Sequence, residues 1–411
     1  MALSVIQYPA EVALSQSPMI LTVLETGPEI TSQSFQYVAE LSYWFGDLFN
    51  STTSSVTTYT LEKYPNESGR GIFDFSRIIN ANFQQSVEEN PSQVIFGLTK
   101  LYGRWQEANT FVTGSTVITS TGYSLDGYQL FNEKINPDIA ANTYGEYPYF
   151  PLLTDGPVTQ SFVYGTDLLE NDGTVALLQP KYINSPPPSQ QPNGIAYAYY
   201  QSNLGNVSSS LVSSDIPNEM IRQLPVGLGN VGFPSALNSP DLEWFTLQIT
   251  ESDLTPITPT IRFEVKCPTK YDNVRIKWKN RWGAFDWFNF DLVSRKSFQT
   301  QTQQYKPQVG TWGGTSLTYN YYDASKQNYA TDTIQNMVVN SDYVNEYYNN
   351  IFKQLLVSDE IYFVDNTSQD YTFYRPLTIK SSNVQFKTQK VDKLIQYQFE
   401  FEYAQGYKLQ F

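Results

Sequence analysis

The sequence predicts a mainly β fold, with two or three β-sandwich-like domains and one amphipathic helix. The chain carries 31 tyrosines and 25 phenylalanines among abundant Ser, Thr, Asn and Gln, which is a strand-favouring composition. Short segments of alternating apolar and polar residues recur between turn residues. At 411 residues the chain is long enough to bury several cores.

The first region, residues 1–115, is expected to be an N-terminal β-sandwich domain. Four segments have the β-branched and aromatic residues of strands: SPMILTVLE, SFQYVAELSYWF, SSVTTYTLEKY and QVIFGLTKLYGRW. Between them, GIFDFSRIINANFQQSV predicts a short helix that Asp74 or Ser76 caps and that turns Ile78, Ile79 and Phe83 inward.

The second region, residues 116–255, is expected to be a middle β- and loop-rich region. Its strand candidates lie in YPYFPLLTDGPVTQSFVYG and GIAYAYYQS. The segment 185–194, SPPPSQQPNG, predicts an exposed proline-rich loop. Gly227, Gly229 and Gly232 have the spacing of a dinucleotide-binding motif, but Pro234 argues against the helix which that motif needs, so we interpret this segment as a loop.

The third region, residues 256–411, is expected to be a C-terminal β domain. Predicted strands include TIRFEVKCP, NVRIKWKN, FDWFNFDLV, KSFQTQTQQYKP, TSLTYNYYD and NVQFKTQ. LIQYQFEFEYAQ alternates strictly and predicts one buried aromatic face. An amphipathic helix is expected at about 341–357, with Asn340 or Ser341 as its cap and an apolar stripe at Val344, Tyr347, Ile351, Leu355 and Leu356.

Residue usage excludes several classes of function. The formal charge of −14 repels a phosphate backbone, so a DNA-gripping protein is not expected. The chain has no histidine, which removes Ser-His-Asp and Cys-His catalysis and histidine metal ligation. The single Cys267 allows neither a disulfide framework nor a zinc site. No metal and no cofactor is expected, and only enzymes built on two carboxylates stay open.

Export and membrane insertion are not expected either. The start, MALSVIQYPAEVALS, lacks the basic and apolar regions of a secretory signal. No segment approaches the roughly 18 apolar residues of a membrane-spanning helix.

The aromatic segment RIKWKNRWGAFDWFNF, residues 275–290, predicts a hairpin with a polar, glycine-containing turn. Trp278 would face Trp287 or Phe285 across the strands. Asn280 would fix the turn, and Asp286 would accept backbone N–H groups or the guanidinium of Arg281 or Arg295. Three uses compete: a shelf for sugar rings, a catalytic site at Asp286, and a core that is also a seam between subunits. We favour core and seam, because aromatic residues and Arg are enriched at interfaces.

Several segments, in chain order, resemble a family of virion structural proteins from tailed phages of Bacteroidota, including crAss-like and marine flavobacterial phages. They are SFQYVAEL with GIFDFSRIIN, PLLTDGPVTQSFVYGTDLLE, LPVGLGNVGF, residues 265–307, VVNSDYVNEYYNNIFKQLLVSDEIYFVD and VQFKTQKVDKLIQYQFEFEYA. The most specific block is Lys277 or Arg275, Trp278, Asn280, Gly283, Asp286, Phe288 and Phe290, followed by Ser294, Arg295, Lys296 and Ser297. Family members more often carry glycine at both 283 and 284, and Ala284 departs from this pattern.

The resemblance implies a ring- or collar-forming component of the phage tail, neck or baseplate that is not an enzyme. It would be made in the bacterial cytoplasm and would assemble in the virion with copies of itself and with other tail or neck proteins. Genomic DNA would pass nearby without being specifically bound. The hairpin residues with an expected structural or interface role are Trp278, Asn280, Arg281, Trp282, Gly283, Phe285, Asp286, Trp287, Phe288, Phe290 and Arg295.

Two alternatives stay open. One is a tail adhesin in which Trp282, Trp287 and tyrosine-rich loops stack on host glycans. The other is a tail depolymerase that uses two carboxyl groups about 5–10 Å apart.

Overall fold

The computed structural model describes residues 3–45, 56–83, 94–133, 135, 159–163, 174–178, 197–210, 221–227, 233–250, 254–256, 258–266, 270–310, 313–365, 373–381, 383–388, 390 and 394–406. Loop 185–194, Gly229 and Gly232 lie outside these residues. The described residues lie mainly in strands and few lie in helices, which confirms the predicted mainly β fold class.

The chain forms two compact units. The first comprises Met1–Pro268, Lys277–Trp287 and Tyr347–Asp359, and the second comprises Thr269–Ile276, Phe288–Glu346 and Glu360–Phe411. The domain boundaries predicted near residues 115 and 255 fall inside the first unit and stay predictions.

The N-terminal part of the first unit is a β-sandwich. Its strands are β1 (Leu3–Gln7), β2 (Val12–Leu14), β3 (Ile20–Glu25), β4 (Gln36–Phe45), β5 (Thr57–Lys63), β6 (Arg70–Asp74), β7 (Val94–Glu107), β8 (Thr110–Thr113) and β9 (Ile118–Leu125). One sheet has the order β1-β3-β6 and the other β2-β9-β7-β4-β5, with β8 paired to β7. Buried residues of both sheets form a single core, for example Val23 of β3 with Leu41 of β4, which is how two sheets pack face to face.

The short helix predicted in this region is α1 (Ser76–Asn80). Its N-cap residue is Phe75, where the sequence predicts Asp74 or Ser76; the Asp74 carboxylate instead accepts the backbone N–H of Ser76, the first helical residue, at 3.0 Å. Ile79 is buried, and Ile78 and Phe83 pack against the same core, so the predicted inward face is confirmed.

The middle of the first unit has its own aromatic core. The strands are β10 (Thr159–Val163), β11 (Thr174–Leu178), β12 (Tyr197–Ser202), β13 (Gly205–Ser210), β14 (Ile221–Pro225), β15 (Trp244–Thr250) and β16 (Ile261–Lys266). Five form a sheet of order β10-β16-β15-β12-β13, and β11 pairs with β14. The Phe245 and Phe263 rings stack 4.9 Å apart, next to Tyr200. Directly after Pro234 in the sequence, the chain forms a short 3-10 helix, Ser235–Leu237, and not an α-helix.

The second unit contains most of a seven-stranded sheet. Its strands are β17 (Val274–Lys279), β18 (Phe285–Phe290), β19 (Arg295–Tyr305), β20 (Gln327–Asn340), β21 (Ile361–Asp365), β22 (Phe373–Ile379) and β23 (Gln398–Tyr403), in the order β18-β17-β21-β22-β23-β20-β19. The turn-side ends of β17 and β18 belong to the first unit. In β23, Phe399, Phe401 and Tyr403 are buried whereas Gln398 and Glu400 are exposed, which confirms the predicted alternation.

The predicted amphipathic helix exists but is shorter than expected. The helix α2 (Tyr348–Val357) begins seven residues after the predicted start at 341. The backbone N–H groups of Ser341 and Val344 donate to the carbonyls of Tyr397 at 2.8 Å and Ile395 at 2.9 Å, and the Ser341 hydroxyl accepts the Tyr397 N–H at 2.8 Å. Because residues 341–344 bond to this neighbouring segment, they are not available for a helical turn. Among the described residues, neither α1 nor α2 reaches the length of a membrane-spanning helix.

Two predicted strands are not formed in the described residues. TSLTYNYYD is part of the connection between β19 and β20, where residues 321–322 form a turn, and NVQFKTQ is irregular. The strand that pairs with β19 is β20, which the sequence interpretation missed.

Candidate functional site

The turn of the aromatic hairpin, residues 280–284, is closed by its own hydrogen bonds. The Asn280 N–H donates to the Ala284 carbonyl at 2.7 Å, and the Gly283 N–H donates to the Asn280 carbonyl at 3.0 Å. The Asn280 Oδ1 atom accepts the backbone N–H groups of Trp282 at 3.0 Å and Ala284 at 3.1 Å. Asn280 therefore has the turn-fixing role that the sequence predicted.

The turn uses one glycine with a left-handed backbone. Gly283 has φ +81, whereas the only described non-glycine residues with positive φ are Ala108 and Leu254. Ala284 therefore has an ordinary backbone conformation, so a second glycine at this position is not required. The turn therefore forms with alanine at position 284.

Two ion pairs connect the hairpin turn to the segment that follows β9. The Lys279 Nζ atom lies 2.7 Å from an Asp126 carboxylate oxygen, and both side chains are largely buried, at 10% and 15% exposed. The Arg281 guanidinium lies 2.7 Å from a Glu133 carboxylate oxygen and is centred 3.9 Å from the Trp282 ring centroid. We call Asp126, Gly127 and Glu133, together with Gln354 and Ser358, the turn clasp.

The other side of the turn clasp comes from α2 and the residue after it. The Gln354 Oε1 atom accepts the Arg281 N–H at 3.0 Å. The Ser358 hydroxyl donates to the Lys279 carbonyl at 2.8 Å. Two distant parts of the first unit thus bind the backbone of the turn as well as its side chains.

The two backbones approach so closely that glycine is required on each. A Cβ atom on Gly127 would lie 2.2 Å from the Arg281 carbonyl oxygen, and a Cβ on Gly283 would lie 2.6 Å from the Asp126 carbonyl oxygen. The Tyr128 N–H donates to the Arg281 carbonyl at 2.9 Å. The arrangement holds the turn in one conformation.

The aromatic side chains of the hairpin belong to the core of a single chain. Trp278 is 0% exposed and Trp282 is 6% exposed. The other buried rings are Phe285, Phe288 and Phe290. Trp287 is partly buried and packs against the Phe245–Phe263 core. The role of these rings as a seam between subunits stays a prediction.

Sequence reasoning missed the acidic partners of the hairpin. The sequence predicts that Asp286 accepts backbone N–H groups or the guanidinium of Arg281 or Arg295, whereas Arg281 pairs with Glu133; Asp286 is half-buried in β18. Asp126 and Glu133 precede their partners by 153 and 148 residues, and no local pattern indicates such a pairing. Arg295 is the exposed first residue of β19.

The second notable feature is an exposed β-ribbon in the second unit. All 11 residues of β19 are exposed, and so are the first four of β20. The two strands pair antiparallel from Arg295↔Val338 to Tyr305↔Gln327. We call β19, residues 306–310 and 313–326, and β20 up to Asn336 the ribbon arm. Its tip carries three exposed tyrosines: Tyr319, Tyr321 and Tyr322.

The described residues contain no group of three or more His, Cys, Asp or Glu side chains that could hold a metal ion. A small cleft in the N-terminal sandwich has no acidic side chain in its lining, which includes Met19, Leu41, Phe75, Thr99 and Tyr123.

Burial raises the pKa of Tyr200 above 10.0. Burial, with the Glu360 carboxylate beside it, raises the pKa of Tyr362 in the same way, so both phenols stay protonated at neutral pH.

Comparisons with known proteins assign no function. No family model matches the chain, and no curated protein matches it. Among solved structures, the native conformation of E. coli alpha-2-macroglobulin is similar at a TM-score of 0.20 and 9% identity over 82% of this chain, which spans 21% of that protein's length. A marsupial T cell receptor is similar at a TM-score of 0.17 and 10% identity, over 81% of this chain and 96% of that one. Likeness at these TM-scores carries no argument about function.

Proposed function

We propose that the chain is a virion structural protein of a tailed phage, a ring- or collar-forming component of the tail, neck or baseplate. It acts through multimeric assembly around the DNA channel and not through chemistry. The observation that carries the proposal is the ribbon arm, a polar β element that a single chain leaves exposed on both faces. The resemblance of several segments, taken in their order along the chain, to virion proteins supports the same proposal.

The turn clasp supports this proposal because a channel component must keep its shape while the genome passes. Two mostly buried ion pairs, a carboxamide and a hydroxyl bind one turn from two sides. Such preorganised contacts make a loop stiff. The formal charge of −14 suits a surface along which DNA moves without adhering.

One specific observation favours an adhesin that binds host glycans as a second candidate. Tyr321 and Tyr322 are 104% and 84% exposed, and exposed aromatic rings can stack on sugar rings. Trp282, which the sequence-based version of this candidate used, is buried beneath Arg281. For this candidate we therefore place the sugar-stacking rings at the tip of the ribbon arm, at Tyr321 and Tyr322.

Cryo-electron microscopy of intact particles tests the proposal. We expect several copies of the chain in one ring of the tail, neck or baseplate, with the chain present in purified virions by mass spectrometry. Mass photometry of the purified chain should show species larger than a monomer. A chain that is absent from virions and monomeric at every concentration would contradict the proposal. Glycan-array binding by a monomer would favour the adhesin.

A further inference from the structure

The ribbon arm extends beyond the sheet from which it starts. β23 pairs with β20 only over Asn336–Asn340, whereas β19 pairs with β20 as far as Tyr305↔Gln327. Residues 298–305 and their partners therefore form a ribbon of only two strands. At about 3.3 Å per residue, eight residues extend it by about 26 Å.

This ribbon has few apolar side chains to bury, and the pairs between them are mainly polar; the apolar residues are Phe298, Tyr305, Tyr329, Ala330 and Ile334. One face places Thr300 and Thr302 opposite Thr333 and Thr331, and the other places Gln301 opposite Asp332. An isolated two-stranded hairpin is marginally stable in water. A ribbon of this length is stabilised if a further surface covers it.

The outer edge of the ribbon arm is open to pairing. Among the strands that the structure describes, β19 is the last of its sheet, so one row of its backbone N–H and C=O groups faces outward. Natural edge strands usually carry charges or proline that block pairing. In β19 the charged residues are Arg295 and Lys296, both at its base, and it contains no proline.

Charge indicates which surface the ribbon arm can approach. The ribbon arm contains four basic and two acidic residues, which gives it a formal charge of +2: Arg295, Lys296, Lys306 and Lys326, and Asp323 and Asp332. The whole chain carries −14, so the remaining residues carry −16. Two copies repel each other except where the arm of one meets the body of the other.

We infer that the ribbon arm binds a second copy of this chain, with the outer edge of β19 and the tip tyrosines against the acidic body of the next copy. The inference deepens the proposed function and rests on it for the multimeric state. The tip supplies Tyr319, Tyr321 and Tyr322, and tyrosine is a residue type enriched at the energetically dominant positions of interfaces.

Sedimentation velocity and mass photometry of the full chain test this inference with one deletion. Replacing residues 299–334 by Asn-Gly closes the hairpin between Phe298 and Gln335, which already pair, with a favoured two-residue turn. We expect the shortened chain to keep its circular dichroism spectrum and to lose self-association.

Two paired substitutions locate the contact more finely. Tyr321→Ser with Tyr322→Ser should weaken self-association by about tenfold or more. The control Tyr64→Ser with Tyr343→Ser, at exposed sites outside the arm, should not. Lys306→Glu with Lys326→Glu should weaken it by about tenfold. Lys63→Glu with Lys390→Glu makes the same charge change at exposed sites outside the arm and should have a smaller effect.

The outcomes separate this inference from the proposed function. If the wild-type chain and the deletion variant assemble equally, the arm inference is wrong and the ring proposal stands. If the wild-type chain stays monomeric and is absent from virions, the ring proposal fails and the inference with it. Glycan binding that requires Tyr321 and Tyr322, combined with unchanged self-association of their double variant, would also overturn the arm inference.

Discussion

Four glycine-to-alanine substitutions in the first unit separate backbone strain from steric overlap at the turn clasp. Gly283 combines φ +81 with a Cβ position 2.6 Å from the Asp126 carbonyl. Gly127 has the overlap alone, since its Cβ would lie 2.2 Å from the Arg281 carbonyl while its φ is not positive. Gly205 has φ +140 with open space around it, and a Cβ on Gly97 would make an ordinary contact at 3.5 Å.

The magnitudes follow from these two costs. Strain at Gly205→Ala should cost about 1–3 kcal/mol of unfolding free energy. Gly127→Ala should cost about 1–3 kcal/mol or more, because carbonyl groups on two packed segments must move apart. Gly283→Ala combines both costs, which predicts about 2–6 kcal/mol. Gly97→Ala should stay within about 1 kcal/mol of the wild type.

Urea unfolding followed by tryptophan fluorescence measures these values, since Trp278 and Trp282 report on the hairpin. The expected order of destabilisation is Gly283, then Gly127 and Gly205, then Gly97. A Gly283→Ala variant no less stable than Gly205→Ala would refute the close approach of residues 126 and 283. An unperturbed Gly127→Ala variant would do the same from the other side.

Three further predictions concern buried polar groups. Lys279→Met should lower the free energy of unfolding by about 2–4 kcal/mol, because Asp126 keeps a mostly buried charge without its partner. A double-mutant cycle with Asp126→Asn should give a coupling energy of about 1–3 kcal/mol. The same cycle on the more exposed pair Arg104–Glu62 should give less than about 1 kcal/mol. Trp278→Ala should lower the free energy of unfolding by about 3–5 kcal/mol. Trp278→Phe should lower it clearly less, because the buried indole N–H that it removes has no hydrogen-bond partner among the described residues. Equal losses for the two variants in urea unfolding would contradict this. The pKa values of Tyr37, Tyr200 and Tyr362 are raised above 10.0 mainly by burial. The unfolded chain therefore releases these protons at a lower pH than the folded chain does. Their contribution to the free energy of unfolding is complete below pH 10 and is lost as the pH rises above it. Urea unfolding across this range should show falling stability, with a shallower fall in Tyr200→Phe.

Local patterns were sufficient to predict most strands and the hairpin, but not the ends of elements that tertiary contacts decide. Alternation in residues 394–403 predicted the buried face of β23, because period 2 is a property of the strand itself. The start of α2 was wrong because Ser341 and Val344 bond to residues 395–397, more than fifty positions away. Asp126 and Glu133 were missed for the same reason, since pairings across about 150 residues leave no trace in the local sequence.

The exposure of β19 was visible in the sequence and was not used. In RKSFQTQTQQY, Gln and Thr alternate, so both faces of the strand are polar, whereas a half-buried strand has one apolar face. A strand-forming sequence with two polar faces predicts a ribbon or an edge strand. The tyrosines of the aromatic segment TSLTYNYYD favour a strand, yet this segment lies in the connection at the tip.

The locations of the hairpin and the ribbon arm have a consequence for assembly. The hairpin rings are buried within one chain, so little of their surface is left for a second copy. An arm that binds the body of the next copy makes a heterologous contact, in which the two surfaces differ, and such contacts form a closed ring when the rotation between copies closes. Each contact of this polar arm can be weak, because closure makes the last contact intramolecular and raises its effective concentration. Deletion of the arm should therefore abolish the complete ring even at protein concentrations below the dissociation constant of a single arm–body contact, where the wild-type ring still forms.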